Sequence, residues 1–299
     1  MKVLVVIFGG LDHEFLEKWD CKNLRQAEWG RVAVDELWNQ RDVATQITAQ
    51  LITGKTWRDN GVNERKKVIL TYRNSGIKWL EENLFGNMTM GRRTRLSLYQ
   101  TFGWLKTVSR EFLKDDLTCP SLFDKIERSK AVYVPAYNPE PSWALDRNIL
   151  DPRIYPELGV AGALDLLEKN YTWRRKRFMD ALAEEPYQLL MGQFQYIDST
   201  QHLYLAYHDP ARMDLVEQAY WRMDAFAGEI LAAAAGKYDR ILFISDNGAA
   251  RKHDYRPTHY NRPYYSISHR EDLTRTNLRD FYDHILSWVA SEPNAGIVR

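Results

Sequence analysis

The sequence predicts an α/β fold: three layers, α/β/α, around a mainly parallel central sheet, with an inserted helical cap. Two observations carry this. Lys2–Phe8, Tyr187–Ile197 and Arg240–Ser245 are apolar runs of the kind that form strands buried on both faces. Stretches with helical periodicity alternate with them, and strand–helix alternation at this spacing favours parallel pairing.

In chain order, Lys2–Phe8 is the first core strand, and Gly9-Gly10 allows a tight turn with close backbone approach. Leu11–Trp19 reads as a short helix and Gly30–Val34 as a short strand. Thr45–Thr53 is helical, with Ile47, Leu51 and Ile52 on one face and Gly54 as C-cap. Ser75–Leu117 reads as helical and lacks strand-like alternation, and residues 63–148 are expected to form the cap of an otherwise single 1–299 domain. Its Trp79, Tyr99, Trp104 and Trp143 are expected to pack rather than stack on a base, and the basic Met90–Arg95 reads as a solvated helix start. Ala131–Val134 reads as a strand, and the Pro- and aromatic-rich loop after it is expected near the site end of the sheet. Gly159–Leu182 is a long helix, Tyr187–Ile197 the central strand, and Asp209–Ala235 another helix begun by Asp209-Pro210. Arg240–Ser245 is the last core strand, and Leu273–Ala290 closes the chain as a helix.

Composition sets limits. With 41 Lys and Arg against 40 Asp and Glu, the net charge of +1 calls for no polyanionic partner, so nucleic acid is not expected. Cys21 and Cys119 are far apart and in no CxxC pattern, which points away from a disulfide framework or zinc knuckle. No apolar run approaches the roughly 18 residues of a membrane span. The N-terminus reads as a strand rather than a signal peptide, so a cytoplasmic protein is expected.

The chemistry-bearing residues cluster at two strand ends. QFQYIDSTQHL carries Asp198 and, four residues on, His202. ILFISDNG carries Asp246 and Asn247, and His259 follows on the next loop. The carboxyl ends of parallel strands are where α/β proteins build sites. Carboxylate, imidazole and amide oxygen together suit a divalent cation. Each residue also has a plainer role, since Asp at a strand end often caps a helix.

With these residues in order, the chain resembles the alkaline phosphatase superfamily, in its type I phosphodiesterase/nucleotide pyrophosphatase-like branch. The resemblance runs through GLDHEFLEKW, NLRQAEWGRV, TAQLITGKTWRDNGV, PSLFDKIERSKAVYVPAYNPE, DSTQH, SDNG and HYNRPYYS, and so spans nearly the whole chain. It implies two metal half-sites sharing a phosphate. Asp198, His202 and His259 would form one. The other would take an Asp after the first strand, a Thr or Ser nucleophile, and the Asp and His of SDHG. Here that half departs: Gly9 follows the first strand, the nucleophile position falls on Ala44 with Thr45 as its neighbour, and Asn247 replaces the His. The SDNG form, Ser245-Asp246-Asn247-Gly248, is similar to the sulfatase branch, but no C-x-P-x-R-type motif precedes Thr53.

The resemblance therefore implies a metal-dependent phosphodiesterase or phosphohydrolase-like protein with a degraded second half-site and weak activity. Its metal ligands would be Asp198, His202, His259, Asp246 and Asn247, its candidate nucleophile Thr45, and its cofactor zinc or manganese, with one site expected. Its partner would be a phosphate ester or nucleotide-like small molecule. The alternatives are an inactive member serving as a binding or scaffolding module with a protein partner, and a different metal hydrolase activity supported by one ion and a water. Should turnover prove efficient, Asp12 and His253 are the residues expected to replace the lost ligands.

Overall fold

The computed structural model describes residues 1–34, 44–62, 67–72, 105–139, 155–207, 213–253, 256–259, 263–273 and 276–291, with the side chains of 44, 67–72, 105–109, 155–158, 205–207, 250–253 and 256–259 outside that description. The chain separates into two compact units, Met1–Asn63 with Leu113–Arg299, and Glu64–Phe112.

The larger unit is built on a six-stranded sheet. Its strands are β1 (Val3–Phe8), β2 (Glu28–Arg31), β5 (Ser129–Val132), β6 (Leu189–Phe194), β7 (Arg240–Ile244) and β10 (Tyr264–Ile267). The order is β2-β10-β7-β1-β6-β5, so all three apolar runs read from the sequence are interior strands. β1 pairs in parallel with both β6 and β7, and β5 with β6. β10 alone runs opposite to its neighbours, β7 and β2.

Alternation along β1 sorts the core into two layers. Leu4, Val6 and Phe8 face one cluster with α1 (His13–Lys18), α4 (Tyr155–Ala183) and α6 (Met213–Ala234), through residues such as Leu16, Phe178 and Phe226. Val3, Val5 and Ile7 face the other, with α2 (Ala44–Thr53), α3 (Leu122–Lys125) and α7 (Phe281–Ala290), through Ile47, Leu122 and Ile285. This is the expected three-layer α/β/α arrangement. Among the described residues no helix is long and apolar enough to cross a membrane.

Several boundaries differ from the sequence reading. The central strand stops at Phe194, and α5 (Tyr196–Tyr207) begins two residues later. Ile197 prolongs the apolar run yet is a buried helical residue. The closing segment starts as a short 3-10 turn at Leu278–Asp280, capped by Asn277, rather than as a helix from Leu273. Asp209, Pro210 and Trp143 lie outside the described residues.

In the smaller unit, β3 (Lys67–Tyr72) pairs antiparallel with β4 (Leu105–Arg110). β4 lies in the stretch read as helical. Its Thr107 and Val108 are β-branched and stand opposite Leu70 and Ile69, and this pairing prevails over the weak helical signal. Trp79, Met90–Arg95, Tyr99 and Trp104 fall outside the described residues.

Candidate functional site

The carboxyl ends of β1, β6 and β7 lie side by side, and the turns leaving them interlock. Gly9 continues the ladder, its N–H donating to Phe194 O at 2.9 Å. Gly10 has φ +76° and packs on the start of α5: a Cβ there would stand 2.8 Å from the Asp198 Cα. Only glycine meets both demands. Gly10 N–H donates to Asn247 Oδ1 (2.9 Å), and Gly10 O accepts from Gln201 Nε2 (2.9 Å) and the Tyr220 hydroxyl (3.1 Å). Tyr220 is fully buried, and that burial drives its hydroxyl well above its ordinary pKa, so it stays protonated and able to donate.

Asp12 is committed as well. Its side chain caps α1 by accepting from Glu14 N–H at 2.9 Å, and its second oxygen accepts from Ala249 N–H at 3.1 Å. It is 3% exposed, and these bonds turn it away from any role as a substitute ligand at position 9.

Asp246 follows β7 and is 2% exposed. Its Oδ2 accepts from two carboxamides, Gln193 Nε2 at 3.0 Å and Gln195 Nε2 at 3.3 Å. Gln195 also fills the space beside Gly9, where an added Cβ would meet its Oε1 at 2.1 Å. The Oε1 atoms of Gln193 and Gln195 are buried and accept no hydrogen bond from the described residues.

Asp198 sits in the first turn of α5, and His202 one turn on. The His202 Nε2 lies 3.6 Å from the Asp198 Oδ1, and both side chains are largely buried yet reach the surface. Two ligands about 2.1 Å from one zinc at a tetrahedral angle stand about 3.4 Å apart, so the pair has a chelating spacing. After β7 the chain makes the hairpin β8 (Ala250–His253) and β9 (Arg256–His259). Its register sets His259 opposite Ala250, next to the Ala249 whose amide binds Asp12. β8 lies against α5. The backbone thus returns His259 to the root of the hairpin. The side chains of His253 and His259 lie outside the described residues.

Thr45 lies in the first turn of α2, half-buried, and the residues that lead into it, 35–43, lie outside the description. Among the described residues no group of three His, Cys, Asp or Glu side chains is arranged to hold a metal ion. For a cation the two halves therefore differ. Asp198 and His202 stand at a spacing that one ion could bridge, whereas Asp246 Oδ2 and Asn247 Oδ1 already accept hydrogen bonds from the protein.

The reading of the sequence passed over Gln193, Gln195, Gln201 and Tyr220. A signal for the first two was present: in QFQ, two amides interrupt the end of an apolar strand.

No protein-family model matches the chain, and no curated protein matches it. Among solved structures it is similar to murine ectonucleotide pyrophosphatase / phosphodiesterase 5, at 14% identity over 83% of this chain and 57% of that one, with a TM-score of 0.41. It is similar to the human protein of that name at 13% identity, over 84% and 58%, with a TM-score of 0.40. Similarity to the PH0037 protein from Pyrococcus horikoshii is 12% identity over 99% of this chain and 98% of that one, with a TM-score of 0.49. The chain thus spans less than two thirds of the ectonucleotide proteins' length. Identities and scores this low leave the chemistry to be read from this chain's own side chains.

Proposed function

We propose that the chain is a phosphodiesterase-like protein with a single working cation site and weak turnover of phosphate esters. Asp198, His202 and His259 would hold one divalent ion, zinc or manganese, and the ligand would be a phosphate ester or nucleotide-like small molecule. The supporting observation is the 3.6 Å approach of His202 Nε2 to Asp198 Oδ1 at the mouth of the sheet, beside the hairpin that carries His259. A bound ion would act as a Lewis acid on a phosphoryl oxygen. Thr45 is the candidate nucleophile, on the hydroxyl it offers one residue from the position that the resemblance assigns.

In-line displacement with two ions about 4 Å apart needs a second cation. Asp246 and Asn247 would have to supply it, and both are engaged by the Gln193 and Gln195 amides and the Gly10 N–H. The same engagement favours a second reading, a binding or scaffolding module without turnover.

Hydrolysis of bis-p-nitrophenyl phosphate and p-nitrophenyl phosphate with zinc or manganese separates these readings. Slow turnover, below about 1 per second, that disappears in His202→Ala supports the first. Metal binding without turnover supports the second, and turnover of about 1–1000 per second overturns both.

A further inference from the structure

Gly9 and Gln195 form a complementary pair across the gap between β1 and β6. The residue after β1 has no side chain, and the carboxamide of Gln195 lies in the volume such a side chain would take, 2.1 Å from the Cβ position. From there its Nε2 donates to Asp246 Oδ2 at 3.3 Å, beside the Gln193 Nε2 at 3.0 Å. Asp246 thus sets one buried carboxyl oxygen against two amide donors. A buried carboxyl oxygen needs donors of this kind.

We infer that Gln195 is a built-in plug: with Gln193 it replaces the second cation by amide hydrogen bonds, so this half-site is closed by the fold rather than waiting for a metal. The plug is specific to neutral amides. Gln195→Glu keeps the shape but removes the N–H donor and sets a second carboxylate against Asp246. Like charges in one buried site repel unless a cation lies between them. The oxygens then gathered, from that carboxylate, Asp246 and the Gln193 carboxamide, are the hard donors that manganese accepts. The inference takes the identity of the half-site from the reading above, but does not depend on whether Asp198 and His202 hold an ion.

The test is equilibrium dialysis against manganese, with thermal unfolding alongside, on the full chain carrying Gln195→Glu in both the wild-type and the His202→Ala background. We expect one additional manganese equivalent over the parent in each background. Manganese should also raise the Tm of the variant more than that of its parent. The His202→Ala background removes the contribution of the other half, so its failure to bind is read separately. A folded Gln195→Glu protein that takes up no more manganese than its parent overturns the plug. Should circular dichroism show that variant unfolded, Gly9→Asp with Gln195→Ala offers a carboxylate from the other side of the same gap, and a folded double variant with no gain overturns it equally. The wild type tests the inference in every case: two manganese equivalents on the unaltered chain contradict it, and one or none agrees with it.

Discussion

Asp198 and Asp246 stand at comparable places, each just past an interior parallel strand, yet their surroundings diverge. Asp198 lies in the first turn of α5, so the residue four positions on returns to the same side and His202 comes within 3.6 Å. Asp246 is followed by a turn, and it reaches past β1 to side chains at the end of β6. Its Oδ2 accepts from the carboxamides of two glutamines, and the next residue, Asn247, accepts from Gly10 N–H. One half keeps its polar atoms toward the mouth of the sheet. The other spends them on holding β1, β6 and β7 together. Ligand type alone therefore does not define a site, because the same oxygens serve either a cation or the fold.

Breaking the first half should have the largest effect. Asp198→Ala or His202→Ala is expected to lower zinc or manganese affinity by at least about 100-fold, by titration calorimetry, since each removes a ligand where loss of an outer-shell partner alone costs 10–100-fold. The Tm should barely move. Breaking the second half should do the reverse. Asp12→Ala removes the cap of α1 and the acceptor of Ala249 N–H, and is expected to lose about 2 kcal/mol of stability in urea unfolding, with metal affinity unchanged. Asn247→Ala leaves the buried Gly10 N–H without its acceptor and should lose about 1–2 kcal/mol, again without touching metal affinity.

A pH series sharpens the contrast. Cation binding by imidazole competes with protons and should weaken as pH falls below about 6. Folding should respond to a different group. Burial alone would raise the Glu28 pKa, but the N–H groups of Leu273, Glu271 and Asp272, with the Tyr265 hydroxyl, hold it below its ordinary value. A depressed carboxyl stabilises the fold above its unfolded pKa of about 4.3 and loses that contribution as pH drops through the folded value. Metal should therefore leave first and stability fall later. Glu28→Gln should flatten the acid limb by about 1 kcal/mol without moving the metal transition.

The sheet was the most legible part, because strands buried on both faces leave unbroken apolar runs; β1, β6 and β7 are all interior. Ends were less legible. Ile197 is apolar for the sake of the core under α5, so the run overshoots the strand. β4 owes its form to pairing with β3, a partner more than 30 residues away that periodicity cannot register. At the site, the ligand types could be read at Asp198, His202, Asp246 and Asn247. Their commitments could not, because Gln195 reaches Gly9, and Gly10 reaches Asn247, only through the fold.

The central claim is that one half-site accepts a cation and the other is closed by side chains. Anomalous diffraction from a zinc-soaked crystal tests it most directly. The account predicts a single peak about 2.0–2.2 Å from an Asp198 oxygen and a His202 nitrogen, with Gln195 still bonded to Asp246. A peak beside Asp246 and Gly9, or a crystal with none between Asp198 and His202, would contradict it.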